Sequence, residues 1–187
     1  MTKIVIYISI LFLFFSNKLF NNNSTYNLNS DKQNSTIILQ KKYYSPEGDF
    51  KIMFPGEPTV KKSDVPTEVG TIKMYQYMYE QTPTKIYMVA FSDYPSKYME
   101  ASKSYEMLQN AKGGFINSLK ITVKEENAVK IRNHPGIMFK ASDDGIYVVM
   151  RDYLVNNRLF QIGIMQQDYQ ISEKDIEDFI YSFELVK

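Results

Sequence analysis

The segment that decides the fold lies between residues 145 and 166 and reads GIYVVMRDYLVNNRLFQIGIMQ. Two apolar runs, 145–155 and 158–166, flank Asn156 and Asn157. Asparagine tolerates the positive φ that a two-residue hairpin turn needs. The pattern therefore predicts an antiparallel β-hairpin that turns at this asparagine pair.

The predicted turn fixes which residues of the hairpin face each other. It places Val155 opposite Arg158, Tyr153 opposite Phe160, Arg151 opposite Ile162 and Val149 opposite Ile164. This face is the more apolar, and we expect it to carry the core. The neighbouring face pairs Leu154 with Leu159 and Asp152 with Gln161.

Other extended stretches surround this hairpin on both sides. Short apolar or alternating runs at 50–54, 70–80, 84–93, 121–131 and 136–141 predict further strands. The run 84–93 is apolar on both faces, which is typical of a central strand covered on both sides. Strands joined by tight turns indicate an antiparallel sheet.

Two segments have a helical period instead. Residues 101–119 place apolar side chains at steps of three and four, namely Ala101, Tyr105, Leu108, Ala111, Phe115 and Leu119. The glycines at 113 and 114 each cost about 1 kcal/mol in a helix, which favours a kink or an early end. Ser172 begins a capping box before a second apolar stripe, formed by Ile176, Phe179, Ile180 and Phe183. The fold class expected is α+β, an antiparallel β-sheet flanked by helices.

The first 42 residues differ from the remainder of the chain. Lys3 precedes an apolar run at 4–15, which is shorter than the ~20 residues of a membrane-spanning helix but typical of a signal peptide. We expect residues 1–20 to be a signal peptide or an uncleaved signal anchor, 21–42 a disordered Asn/Ser/Lys-rich spacer, and 43–187 a single domain. The protein is expected to be exported, either periplasmic or secreted, or tethered to the membrane by residues 4–15.

Composition excludes several classes of chemistry. The 22 basic and 21 acidic residues give no electrostatic reason to expect nucleic-acid binding. With no Cys and a single His, thiol catalysis, thiolate zinc sites and multi-histidine metal sites are excluded. No glycine-rich phosphate-binding motif occurs, and we expect no cofactor and no metal. The partner expected is an unknown protein or small ligand, with membrane contact only through an uncleaved N-terminal segment.

Four residues are candidates for ligand binding. Tyr75, Tyr77 and Tyr79 form one face of a predicted strand, and such a stripe either stacks on a ligand or forms a sheet surface beneath a helix. Arg151 projects from the apolar face of the hairpin. It is expected to stack on Tyr153 or Tyr147, to pair with an acid, or to bind an anion in a cleft.

The single histidine, His134, stands before Pro135 and Gly136. We interpret it as a polar residue beside a Pro-Gly turn, because no nucleophile motif lies near it in the sequence, although a general base remains the alternative. Asp143 and Asp144 precede Gly145 and predict a hairpin turn rather than a calcium site. We expect no catalytic residue.

One segment resembles a known family. Residues 44–58 read YSPEGDFKIMFPGEP and resemble the opening of bacterial exported proteins of the PsbP-like fold. Weaker similarity continues through 134–136, 151–162 and 179–183. The resemblance implies a PsbP-like α/β/α sandwich, related to DcrB-type envelope proteins, whose members are mostly non-catalytic binding or accessory proteins. Lipoprotein anchoring is not implied, because this chain has no Cys.

The function expected is therefore that of an exported, non-catalytic binding or accessory domain of the bacterial cell envelope. The alternative is an extracytoplasmic hydrolase whose site assembles only in three dimensions around His134.

Overall fold

The computed structural model describes residues 42–67, 70–96 and 103–186. The signal or anchor predicted for 1–20 and nearly all of the spacer predicted for 21–42 lie outside these residues. The described strands are β1 (Tyr43–Ser45), β2 (Phe50–Ile52), β3 (Thr59–Thr67), β4 (Gly70–Thr82), β5 (Lys85–Asp93), β6 (Thr122–Ile131), β7 (His134–Asp143), β8 (Ile146–Val155), β9 (Arg158–Gln167) and β10 (Glu184–Leu185). The helices are α1 (Ser104–Leu119) and α2 (Glu173–Asp178), the latter followed by a 3₁₀ turn, Ile180–Ser182.

The strands form two antiparallel sheets. The larger sheet has seven strands in the order β3-β4-β5-β9-β8-β7-β6, and the smaller has three in the order β1-β2-β10. The larger sheet consists of two antiparallel meanders, one of three strands (β3–β4–β5) and one of four (β6–β7–β8–β9). They meet where β5 pairs with β9. The centre of the large sheet is thus built from strands distant in sequence.

Each face of the large sheet has its own apolar core. On one face, α1 packs against β7 and β8 and buries Leu108, Ala111 and Phe115. On the other face, the small sheet and the C-terminal segment bury a cluster rich in aromatic rings, here called the aromatic core. Its covering residues are Phe50, Ile52, Ile176, Phe179, Ile180 and Phe183.

The predicted hairpin register is confirmed. Val155 lies opposite Arg158 and Tyr153 opposite Phe160, and Asn156 has the positive φ expected in the turn. The prediction that residues 84–93 form a central strand covered on both sides is also confirmed, since all residues from Ile86 to Ser92 are buried. The neighbouring hairpin face is more deeply buried than expected, because it packs in the core beneath α1.

The expected α/β/α sandwich is correct only in part. One helix covers one face, but the opposite face is covered by a three-stranded sheet together with a helix of six residues. The protein is therefore richer in β-structure than a sheet flanked by helices. The capping box is confirmed, since Ser172 accepts a hydrogen bond from the backbone N–H of Asp175.

Helix α1 corrects two expectations. It continues without interruption through Gly113 and Gly114 to Leu119, so the early end is wrong. Tyr105, assigned to the buried stripe, is exposed, whereas Met107 is buried in its place. Ala101 lies outside the described residues.

Three local predictions are also corrected. Strand β3 was not expected, because its sequence TVKKSDVPT is polar and contains a proline. Residues 46–49 form the turn that their proline and glycine predict, with Gly48 expected to take the positive φ. Asp49 takes it instead, and Gly48 is required because a Cβ there would lie 2.4 Å from the Phe50 ring. The hairpin between β6 and β7 turns at Arg132 and Asn133, so Pro135 belongs to a strand.

Within the described ranges, no helix has both the length and the apolar character needed to cross a membrane.

Candidate functional site

The predicted tyrosine stripe lies against the aromatic core. Tyr77 is 1% exposed, and its hydroxyl lies 2.7 Å from that of Ser45 in the small sheet. Burial raises the pKa of the Tyr77 phenol. Tyr75 and Tyr79 remain partly exposed at the rim of the same face. The stripe is thus sheet surface with hydroxyls at its edge, and the small sheet, not a helix, covers it.

The two outer tyrosines pack on rings of β5. Tyr75 stacks in parallel on Phe91 with 4.6 Å between centroids, and Lys62 Nζ lies 5.1 Å from the Tyr75 centroid. Tyr79 is tilted against Tyr87 at 6.4 Å. The Phe91 ring therefore occupies a face of Tyr75 that a stacking ligand would need.

His134 begins β7, opposite Ile131. Among the residues that the structure describes, it makes no side-chain hydrogen bond or ion pair with a serine, threonine or acid. A catalytic histidine needs both a nucleophile and an orienting group within hydrogen-bond reach. The described residues therefore do not assemble such a pair around His134.

Arg151 is held by two aromatic rings. Its Cζ lies 5.4 Å from the centroid of Tyr153 and 5.1 Å from the centroid of Tyr181. The stacking on Tyr153 agrees with expectation, and the Tyr147 ring is not used. Tyr181 lies in the 3₁₀ turn after α2, and no signal in the sequence connects it with Arg151.

The three arginines of the chain differ in their partners. Arg158 forms a bidentate ion pair with Asp93, with N–O distances of 2.6 and 2.8 Å. Arg132 donates to the carbonyl of Leu185 over 2.8 Å. Arg151, by contrast, makes no hydrogen bond or ion pair with any described residue, and its Nε is buried without an acceptor.

The terminal nitrogens of Arg151 remain available. They bond to no described residue and are not among the fully buried atoms without a partner, so they keep some solvent-accessible surface. A guanidinium presents its donors in a planar fork that fits a carboxylate or phosphate. The side chain is therefore positioned against two rings, while its terminal nitrogens make no hydrogen bond to any described residue.

A second cation lies diagonally across from Arg151 on the same face. Met138 is opposite Arg151, and Lys140 is opposite Val149. Lys140 Nζ lies 3.1 Å from Glu173 and 3.9 Å from Glu125. The hydrogen bond to Glu173 raises the pKa of Lys140. Tyr181 contacts both Arg151 and the residue opposite it, because its ring lies against the guanidinium and its hydroxyl lies 3.9 Å from the Met138 sulfur.

A groove of about 200 Å³ continues this surface toward the start of α2. Its apolar part is formed by Ala141, Val148, Val149, Ile171 and Ile176. Its polar rim is formed by Lys124, Lys140, Ser142, Tyr147, Gln170 and Glu173. We call this cavity the β7–β8 groove, and the adjoining surface of Met138, Lys140, Arg151 and Tyr181 the cationic face.

Sequence reasoning missed a buried acid on the opposite side of β8. Asp152 is 0% exposed, and one of its carboxylate oxygens has no partner among the described residues. The other oxygen lies 3.5 Å from the side-chain nitrogen of Gln161. Burial raises the pKa of Asp152 to about 8. The acid faces α1, away from Arg151.

The described residues contain no group of three or more His, Cys, Asp or Glu side chains arranged to hold a metal ion.

Comparisons with known proteins concern the fold. No protein-family model matches the sequence, and no curated protein matches it. The structure is similar to the solution structure of cyanobacterial PsbP from Synechocystis sp. PCC 6803. The TM-score is 0.47 at 10% identity, over 83% of this chain and 98% of that chain. The chain is thus similar to a protein of the PsbP-like fold that the sequence resemblance implied, while the relation to DcrB-type proteins stays a prediction.

Proposed function

We propose that this chain is a non-catalytic binding domain that recognises an anionic group at Arg151, and that it works outside the cytoplasm in the cell envelope. The observation that carries the proposal is the state of Arg151. Its guanidinium is positioned by Tyr153 and Tyr181 but makes no hydrogen bond or ion pair with any described residue.

Keeping a guanidinium partly buried without a counter-ion costs stability, since a charge removed from water needs a partner. A ligand carboxylate or phosphate would provide that partner through two parallel hydrogen bonds. The neighbouring groove would accommodate the rest of the ligand, because its wall is partly apolar and its rim polar. A binding role accounts for the ring contacts that position Arg151, for its lack of a counter-ion among the described residues and for the neighbouring groove.

The chemistry of the described residues supports a binding role over the hydrolase alternative. Hydrolysis around His134 would need a hydroxyl and an acid in contact with the imidazole. Among the described residues neither forms a hydrogen bond or ion pair with it, and at the cationic face no described acid is hydrogen-bonded to a serine or threonine. A hydrolase is therefore the less supported alternative.

Export is proposed from the N-terminal sequence. Lys3 and the apolar run at 4–15 have the charge and length of a signal peptide or signal anchor. Cell fractionation combined with N-terminal sequencing of the mature protein tests this part. Recovery in the cytoplasm with Met1 intact would overturn it.

The binding role is tested by NMR on the arginine Nε–Hε signals. Because the chain has three arginines, these signals are few and are assigned by mutating each arginine. We expect the Arg151 signal to move during titration with N-acetylglycine or inorganic phosphate, and the Arg158 signal, held by Asp93, to stay. The two probes separate carboxylate from phosphate recognition.

Two variants complete the test. The backbone amide signals of Tyr153 and Tyr181 should move with the probe in the wild type and in Lys130→Gln, which removes an exposed cation from the opposite face of β6, but should stay in place in Arg151→Gln. If neither probe moves the Arg151 signal at millimolar concentration, or if Lys130→Gln has the same effect as Arg151→Gln, the site is not an anion site.

A further inference from the structure

We infer that the natural occupant of the cationic face and the β7–β8 groove is an extended acidic segment of a partner protein. This inference rests on the proposed function and adds the class of ligand. The segment would place carboxylates on alternate residues, one at Arg151 and one at Lys140, followed by an apolar side chain in the groove.

The spacing of the two cations supports an extended peptide. Lys140 lies opposite Val149, two residues from Arg151 on β8, so the cations are diagonal neighbours on adjacent strands. Such positions are about 7–8 Å apart. In an extended chain, residues i and i+2 point to the same side and are roughly 6.6–6.8 Å apart. Alternate acidic residues therefore match the two cations.

The groove lies one further step in the same direction along β7 and β8. Tyr147, opposite Ser142, follows Val149 on this face and lines the groove together with Ile171 and Ile176. The third alternate residue of a bound segment would reach this point. Because the groove wall is partly apolar, a leucine-sized side chain there would bury apolar surface and fix the register of the segment.

The acids already near Lys140 do not block this site. Glu173 and Glu125 are 73% and 56% exposed, and exposed ion pairs contribute about 0–1 kcal/mol. An incoming carboxylate can replace either of them at Lys140. At Arg151 no protein acid of the described chain competes. The charge complementarity thus favours an acidic partner over a neutral or basic one.

The test uses synthetic peptides and fluorescence anisotropy. The peptides SDSDSLS and SLSDSDS, with blocked ends, cover both chain directions. The controls are SNSNSLS, which lacks the acids, and SDDSLSS, whose adjacent acids point to opposite sides of an extended chain. We expect one of the alternating acidic peptides to bind at least about tenfold more tightly than both controls at low salt.

Variants assign the binding to the site. Arg151→Gln should weaken the better peptide about tenfold or more, and Arg151→Lys should weaken it less, because it keeps the charge and loses the fork. Lys130→Gln should leave the affinity within about twofold, as expected for a distant exposed charge. A circular dichroism spectrum and a denaturant midpoint for each variant show whether it is folded.

Three results would overturn the inference. One is equal binding of the acidic and asparagine peptides, and another is equal binding of the alternating and adjacent acidic peptides. The third is tighter binding to phosphatidylglycerol vesicles than to any peptide. If N-acetylglycine still moves the Arg151 signal in any of these cases, the proposed anion site stands and only the peptide inference fails.

Discussion

The hydroxyl of Tyr77 and the hydroxyl of Ser45 lie 2.7 Å apart and join the two sheets across the aromatic core. Tyr77 comes from the large sheet and Ser45 from the small one. Ser45 also accepts a hydrogen bond from the backbone N–H of Gly48. Both side chains are removed from solvent, so the Tyr77 hydroxyl depends on Ser45 for its partner, whereas Ser45 also has the bond from Gly48.

Removing the Tyr77 hydroxyl should destabilise the protein without a change in packing. Tyr77→Phe leaves the Ser45 hydroxyl without its tyrosine partner, and we expect the free energy of unfolding to fall by about 1 kcal/mol. Chemical denaturation measures the change. Tyr105→Phe is the matched control, because Tyr105 is 57% exposed and its hydroxyl is 3.4 Å from Glu126. Equal effects of both substitutions would contradict this reading.

Asp152 should make stability depend on pH in the neutral range. Its pKa is about 8 in the folded protein, because of burial, and about 4 when unfolded. Between these values the unfolded chain has released a proton that the folded protein still holds. The contribution of Asp152 to stability is therefore fully present below pH 4, falls by about 1.4 kcal/mol per pH unit as the pH rises toward 8, and then levels off.

The variant Asp152→Asn tests this dependence, because an amide of the same shape stays neutral. Below about pH 4 the free energies of unfolding of the variant and the wild type should change with pH in the same way. Between about pH 4 and pH 8 the variant should become increasingly more stable than the wild type. Unfolding in urea at a series of pH values measures the difference. Parallel curves for the two proteins across this range would show that Asp152 is not held neutral.

Two glycines should respond to alanine in opposite directions. At Gly113 in α1 nothing lies within 4 Å of an added Cβ, so Gly113→Ala should stabilise the protein by about 0.5–1 kcal/mol through helix propensity. At Gly136 an added Cβ would lie 2.5 Å from the Asp152 carbonyl oxygen and 2.5 Å from the Tyr153 ring. Gly136→Ala should destabilise by about 1–3 kcal/mol, the usual cost of overpacking.

Thermal unfolding under identical conditions compares the two glycine variants. The pair is informative because the chemical change is the same. A lower melting temperature for both would mean that α1 requires Gly113 for a contact that the described residues do not contain.

Asp175 should anchor the C-terminal segment to the large sheet. Its carboxylate accepts from Lys85 Nζ over 2.6 Å, from the Tyr87 hydroxyl over 2.8 Å, and from Ser172. Burial tends to raise the pKa of Asp175, but the hydrogen bonds from Lys85, Ser172 and Tyr87 outweigh it and lower the pKa. Asp175→Ala should cost about 2–3 kcal/mol at neutral pH, as for hydrogen bonds to a charged group.

The ion pair of Asp175 with Lys85 also makes the free energy of unfolding depend on pH, but at acidic pH and with the opposite sign to that of Asp152. Because the folded-state pKa of Asp175 is lowered, its contribution is present above about pH 4 and is lost as the pH falls through the folded value. Asp178→Ala is the control, since the pair of Asp178 with Lys174 is exposed and worth little. If Asp178→Ala lowered the free energy of unfolding as much as Asp175→Ala, the anchoring role of Asp175 would be contradicted.

Much of the fold follows from local patterns. The strands from Thr122 to Gln167 and the register at Asn156 were predictable, because alternation and turn chemistry act over a few residues. Strand β3 escaped prediction because an edge strand buries few side chains. Val65 is its only fully buried residue, and the remainder of the strand reads as loop.

The candidate site was less predictable than the fold. Arg151 was identified because a charge interrupts an apolar face, and its ring partner Tyr153 is local to the same strand. Tyr181 was not, because its contact with Arg151 exists only when the 3₁₀ turn packs over β8. The burial of Asp152 was likewise hidden, since it depends on the position of α1 above the sheet.

The small sheet can form only after its C-terminal strand β10 has been synthesised. Strand β2 begins at Phe50, yet its partner β10 is Glu184–Leu185, and the backbone N–H of Val186 donates to the carbonyl of Asp49. The segment through Val186 must therefore leave the ribosome before this layer closes. Until then the rings of Phe50 and Phe160 lack their contacts with Phe183, so a nascent chain presents an aromatic surface to chaperones and proteases.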